Sequence, residues 1–396
     1  MKLRSYLLFV FLAVFPQGIL ALADSVRVSL LIISPGSEVY SALGHAALRL
    51  SSPSVGLDYC FTYGMDMRPG NRLKFITGHA PAGYLVAPAR DYIEEYAREG
   101  RSVTEYELNL TLDERRQMWK FLDGQVARGL CDRYDYLHNG CAQVSLRSIN
   151  AALWKTQLRF HLAADDPLQT ATCHDRARYG FAHTDWHNDA PCRASFADFF
   201  WFLFAGTEAD EQVSLERRIV LPNDLQRLLK NAEFIDSMGV SRPVLTGDAK
   251  ELVAASATNV AAHEPDYLSA FCALLIALAV VVAVMEMMHR PCVRFTIALD
   301  SVLVAMYAFV AALELYLVCC SDLVATSWNN LLFAYNPLPL VVWGYYRYRR
   351  QRVEGLWLLL GAAVLTVVMA RCQFPLAHNL FLTACVLRLI TNRYQQ

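Results

Sequence analysis

The sequence predicts an α+β exported domain followed by a bundle of transmembrane helices. Three observations lead there. The N-terminus has the three-part pattern of a secretory leader. The middle alternates short β-branched runs with amphipathic stretches, and the last third is dominated by long apolar runs. The 396 residues divide into a signal peptide (1–23), an exported domain (24–247), a linker (248–266) and a transmembrane domain (267–396).

The leader reads MKLRSYLLFVFLAVFPQGILALADS. Lys2 and Arg4 supply the positive region, Ser5 to Phe15 is mostly apolar, and Ala21-Leu22-Ala23 is a small-x-small cleavage site before Asp24. An uncleaved anchor would export the next segment equally well.

Within the exported part, SVRVSLLIIS is a strand by its β-branched apolar run. PGSEVYSALGH is a turn and a short helix or loop. HAALRLSS is a second strand, stopped by Pro53, and GLDYCFTYGMDM is a third across a turn at 54–56. ARDYIEEYAREG is a helix closed by Gly100, and SVTEYELNL is another strand. TLDERRQMWKFLDGQVARG is a helix with a capping box, Thr111 and Glu114, and Gly129 at its end. A further helix opens at Cys141 and runs to about Trp154. CRASFADFFWFLFAG is aromatic but too short to span a bilayer, and LPNDLQRLLKNAEFI is amphipathic.

Apolar runs then fall near 267–288, 296–319, 331–346, 356–370 and 374–390. Arg290 and Arg294 follow the first, Arg347, Arg349, Arg350 and Arg352 the third, and Arg388 and Arg393 the last. The loop CCSDLVATSWNN has neither Lys nor Arg. Positive charge on alternate connections places the exported domain outside. About five spans are expected, with three or four as the alternative. The net charge of −1 excludes a basic nucleic-acid-binding face.

Five cysteines lie outside these runs: Cys60, Cys131, Cys141, Cys173 and Cys192. An odd number leaves at least one free thiol in an oxidising compartment. Cys173 with Cys192 is one candidate disulfide, and Cys131 either pairs with Cys60 or stays free. Cys141 is the candidate nucleophile, because a helix N-terminus lowers a thiol pKa and offers N–H groups to an oxyanion. A small buried residue at a helix start is the alternative. His45, at the head of a strand, is the candidate base, and it precedes Cys141 in the chain as in circularly permuted papain-like enzymes. A third residue orients the histidine: Tyr63 is the first choice, with Thr62 and Asp66 as alternatives. His79 and His138 are weaker candidates. His174, His183 and His187 with Asp175, Asp185 and Asp189 fit no zinc spacing well, so neither metal nor cofactor is expected.

The segments GSEVYSALGHAALRL, LDYCFTYGMDM, RLKFITGHAPAGYLV, EYAREGRSVTEYELNLT and RYDYLHNGCAQVSLRSI together resemble the exported thiol domain of bacterial lipoprotein N-acyltransferases that are unrelated to the nitrilase-like ones. TSWNNLLFAYNPLPL resembles their Asn-Pro-rich segment. Around the cysteine the match departs. Where the family has Asn-Cys-Thr-Thr-Arg, this chain has Gly140-Cys141-Ala142-Gln143-Val144, with Asn139 displaced by one and Arg147 the nearest arginine.

The resemblance implies a circularly permuted papain-like, lecithin–retinol-acyltransferase-like fold. It implies transfer of an acyl chain from a membrane phospholipid, through a Cys141 thioester, to the α-amino group of a lipoprotein's lipidated N-terminal cysteine. The expected setting is the bacterial inner membrane, multi-pass, with the catalytic domain periplasmic. The expected partners are phospholipid, lipoprotein N-terminus and membrane, without nucleic acid. A membrane-anchored thiol hydrolase and a non-enzymatic membrane scaffold are the alternatives.

Overall fold

The computed structural model describes residues 26–36, 41–52, 56–66, 74–75, 77–182, 195–256, 266–290, 292–349, 355–371 and 374–391. The expected leader lies outside them.

In the exported part the elements run β1 (Arg27–Ile33), β2 (His45–Ser52), β3 (Leu57–Met65), β4 (Pro81–Pro88), α1 (Ala89–Arg98), β5 (Val103–Leu108), α2 (Leu112–Arg128), β6 (Asp132–Arg133), α3 (Cys141–Ala152), β7 (Thr156–Phe160), α4 (Cys173–Ala182), α5 (Ser195–Ala205), α6 (Pro222–Lys230), β8 (Ala232–Asp236), β9 (Ser241–Pro243) and β10 (Leu245–Val253). This is an α+β arrangement. Seven strands form one sheet in the order β10-β5-β1-β2-β3-β4-β6, with every neighbouring pair antiparallel. β7, β8 and β9 form a second, smaller sheet.

β1 is apolar without alternation because both faces of the sheet are covered. Leu30, Ile32, Leu48 and Leu50 bury one face against Met118 and Leu122 of α2 and Leu146 and Ile149 of α3. Leu31, Ile33, Ala47 and Cys60 bury the other against Ala89 and Tyr92 of α1. The capping box of α2 is present: Glu114 N–H donates to Thr111 Oγ1 and Thr111 N–H to the Glu114 carboxylate.

Two expectations are corrected, and one strand is added to those expected. The linker expected from residue 248 begins as strand: β10 pairs with β5. Its residues are mostly exposed at the sheet edge, so its polar sequence reads as a tether. PAGYLVAP forms β4 despite Pro81 and Gly83, and a Cβ on Gly83 would lie 2.6 Å from the Gly129 carbonyl, so close backbone approach demands that glycine. Cys173 is a free thiol, its Sγ donating to the Arg217 carbonyl (3.4 Å), while Cys192 lies outside the described residues; Cys60 and Cys131 are free as well.

The C-terminal region is helical: α7 (Tyr267–Met287), α8 (Val293–Cys320), α9 (Leu338–Tyr348), α10 (Gly355–Arg371) and α11 (Leu376–Thr391). Among the described residues two helices, α7 and α8, are long and apolar enough to cross a membrane, with mean hydropathy 2.9 and 2.2. α10 has 17 residues. At 1.5 Å per residue it measures about 25 Å, short of a hydrocarbon core of about 30 Å. Arg388 of α11 donates to Glu286 of α7 (3.1 and 3.2 Å) and to Asp300 of α8 (2.7 and 3.0 Å), so two acids of the apolar helices share one guanidinium.

The exported domain rests on the loop after α8. Asp322 N–H donates to the Thr77 carbonyl (3.0 Å), and its carboxylate meets Arg133 and His79, both at 3.1 Å. Thr207 N–H donates to the Trp328 carbonyl (2.9 Å), and Asn330 N–H to Thr207 Oγ1 (3.0 Å). The aromatic residues of α5 pack into the C-terminal helices: Phe199 stacks on His378 with ring centroids 3.8 Å apart.

Candidate functional site

α3 begins at Cys141 because of what happens one residue earlier and two residues later. Gly140 is extended and has no side chain to cap the helix. Gln143 does this instead: its Oε1 accepts the Gly140 N–H (3.0 Å), and its Nε2 donates to the carbonyls of Leu137 (2.9 Å) and Arg217 (2.8 Å). Asp135 closes the preceding turn by accepting the N–H groups of Leu137 and His138. His138 is held between Asp135 (2.7 Å) and Glu208 (2.9 Å) and so belongs to this scaffold. Asn139 and Arg147 bond each other (2.8 Å).

At the head of α3 Cys141 is partly buried, and the backbone N–H groups of Ala46, Ala142 and Cys141 itself lie near enough to its sulfur to favour a thiolate. Burial pushes the thiol up from its ordinary value, while these donors and the Arg101 charge pull it down. Ala46 follows His45, so the structure brings the sulfur to the backbone at the head of β2.

His45 follows Gly44, whose φ of 82° lets the chain turn sharply into β2. Its Nε2 meets Thr62 Oγ1 at 2.5 Å, and its ring lies 6.4 Å from that of Tyr96. Burial, with Arg101 adding to it, lowers the imidazole to about 4. Ring and sulfur lie on different faces of the sheet: His45 sits with Thr62 and Tyr96 on the face that α1 covers, and Cys141 packs on the α3 face. With the imidazole lowered to about 4 and the thiol pushed up, both groups are uncharged at neutral pH.

Of the three candidate third residues, Thr62 is the one brought to His45. Side chains alternate along β3, so Thr62 and Tyr63 face opposite ways. Tyr63 packs with Ala82 and Val144, and its hydroxyl reaches Asp132 at 3.5 Å. Asp66 lies past the end of β3, its N–H donating to the Pro81 carbonyl.

Arg101 had no sequence signal, being one arginine after a helix-closing glycine. It is buried, at 4 % exposure, with Nε donating to the Ser34 carbonyl (2.7 Å) and the guanidinium over the Tyr96 ring (4.8 Å). Ser34 follows Ile33, the residue paired with His45, so this charge sits at the head of the same strands. Tyr134 was equally silent; it packs beside Tyr63 and Val144, one turn along α3 from Cys141.

His79 is exposed against Asp322, and His174 is buried with Nδ1 on Asp210 (2.7 Å). Among the described residues no group of three or more His, Cys, Asp or Glu could hold a metal, and His183, His187, Asp185 and Asp189 lie outside them.

A sequence profile of the family described as "Lnb N-terminal periplasmic domain" matches residues 21–175. The match spans β1 to β7 and includes His45, Thr62, Arg101 and Cys141. It supports a periplasmic domain in a membrane-protein family, and the two membrane-capable helices that follow are compatible with that setting. No curated protein and no solved structure matches the chain.

Proposed function

We propose that the chain is a lipoprotein N-acyltransferase of the bacterial inner membrane, multi-pass, with a periplasmic domain of circularly permuted papain-like fold. The observation that carries this reading is the partly buried thiol of Cys141 at a helix N-terminus, near backbone N–H groups of that helix and of the strand that bears His45.

The reaction has two halves. His45 takes the thiol proton, and the thiolate attacks the ester carbonyl of a phospholipid. This transfer requires the His45 ring to turn from its bond with Thr62 toward the head of α3. Backbone N–H groups at the head of α3 hold the oxyanion. The ester C–O bond breaks, the lysophospholipid oxygen takes the proton from His45, and Cys141 keeps the acyl group as a thioester. The lipoprotein amine then attacks the thioester, its proton passes to His45 and on to the departing sulfur, and an amide is formed. A neutral thiol and a neutral imidazole suit proton transfer on demand better than a standing ion pair. Docking of the exported domain on the loop after α8 supports a membrane-held acyl donor.

The test is intact-protein mass spectrometry after incubation with a defined phospholipid. Addition of one acyl chain is expected, absent in Cys141→Ala and at least tenfold slower in Thr62→Val than in Tyr63→Phe. Adding a diacylated lipopeptide should then remove the acyl group as lipopeptide amide. Release only as free fatty acid establishes a hydrolase, and failure of acyl-Cys141 to form removes the reading.

A further inference from the structure

The apolar helices carry three acids, and the fold treats them unequally. Glu286 and Asp300 share Arg388. Glu314 of α8 is fully buried, and among the described residues it has no cationic partner. Asn329 Nδ2 donates to its Oε1 (3.3 Å), while its Oε2 has no hydrogen-bond partner. A buried carboxyl without a cation is costly, and an ionisable group at such a place marks a site for a partner of complementary charge.

A second observation comes from the exported domain. Tyr136 is 8 % exposed, its hydroxyl has no hydrogen-bond partner, and its ring packs against Leu317 and Leu313, the α8 residues flanking Glu314. Two unsatisfied polar groups, one from each side, thus occur along one seam.

The depth of this seam follows from helix length. The 28 residues of α8 span about 42 Å against a hydrocarbon core of about 30 Å, leaving roughly 6 Å beyond it at each end. Glu314 lies six residues before the end that carries the exported domain, or about 9 Å. That places it close to the boundary between acyl chains and headgroups.

We propose that Glu314, Asn329 and Tyr136 form a binding site for a primary ammonium group at the outer headgroup level. The carboxylate neutralises the charge, its Oε2 and the phenol oxygen accept N–H groups of the ammonium, and Asn329 Nδ2 steadies Oε1. Asn329 sits on the loop after α8, so a shift of that loop opens the seam. Two sources carry this chemistry: the ethanolamine headgroup of a phospholipid and the free N-terminus of a lipidated peptide. The inference takes from the acyltransferase reading only which amines to offer.

The test is a binding measurement on the full chain with Cys141→Ala, held in phosphatidylglycerol nanodiscs so that no turnover occurs. One arm compares a diacylated lipopeptide with its N-acetylated form. The other compares short-chain phosphatidylethanolamine with its N-acetylated form. At least tenfold tighter binding of the free amine is expected in one arm, and that arm identifies the source. Glu314→Gln, nearly isosteric, should abolish the preference, and Tyr136→Phe should reduce it severalfold. Equal binding of both forms in both arms, or a preference that survives Glu314→Gln, overturns the proposal. If the preference is present while the wild-type chain never forms acyl-Cys141 with phospholipid, the acyltransferase reading falls and this site stands.

Discussion

At the residue scale, the imidazole of His45, if it serves as the proposed base, sets the acid side of the pH response. His45 is lowered to about 4 from an ordinary 6.5, so its basic form persists well below neutrality. Cys141 acylation should therefore hold its rate as the pH falls from 7 toward 5 and drop only as 4 is approached; an acid limb centred at 6.5 would show that this imidazole is not the base. The same burial affects folding with a definite sign. The unfolded chain takes up this proton first, so stability contributed by the neutral ring is present above 6.5 and is lost as the pH falls to about 4. His45→Asn should flatten that segment of the stability profile. That Cys141 opens a helix and His45 opens a strand was legible in the sequence, because both are local patterns. The choice of Thr62 over Tyr63 was not, because it depends on which face of β3 turns toward His45, and Arg101 reaches the site only through the pairing of β1 with β2.

At the element scale, α3 depends on one amide. Gln143 satisfies three backbone groups, and replacing it with Ala leaves each to find water in a buried turn, at about 1–3 kcal/mol per group. Gln143→Glu should be worse than Gln143→Ala, since a carboxylate faces the Leu137 and Arg217 carbonyls without a donor; thermal midpoints should rank Gln, Ala, Glu. The elements most legible from sequence were those with their own signal. α2 has its capping box, β2 falls on HAALRLSS residue for residue, and β1 is a run of β-branched and apolar side chains. β4 and β10 were hidden for different reasons. β4 contains the proline and glycine that usually break strands, and β10 is a polar edge strand whose partner, β5, lies more than a hundred residues earlier.

At the scale of the whole molecule, two glycines carry the docking of the exported domain. Gly78 (φ 75°) lies where a Cβ would come within 2.5 Å of the Asp322–Leu323 backbone. Gly206 (φ 60°) faces the Ala325 and Trp328 carbonyls, with no room for a Cβ. Gly206→Ala should cost roughly 1–3 kcal/mol in backbone strain and lift the loop as well, speeding proteolysis between residues 321 and 330. Gly239→Ala is the control: its φ is 83° but nothing lies within 4 Å, so cleavage of that loop should not change. The loop contacts have a further consequence for supply. A domain seated on the loop after a membrane-capable helix would stay at the surface that helix crosses, and a substrate held in that surface would be supplied in proportion to its density there.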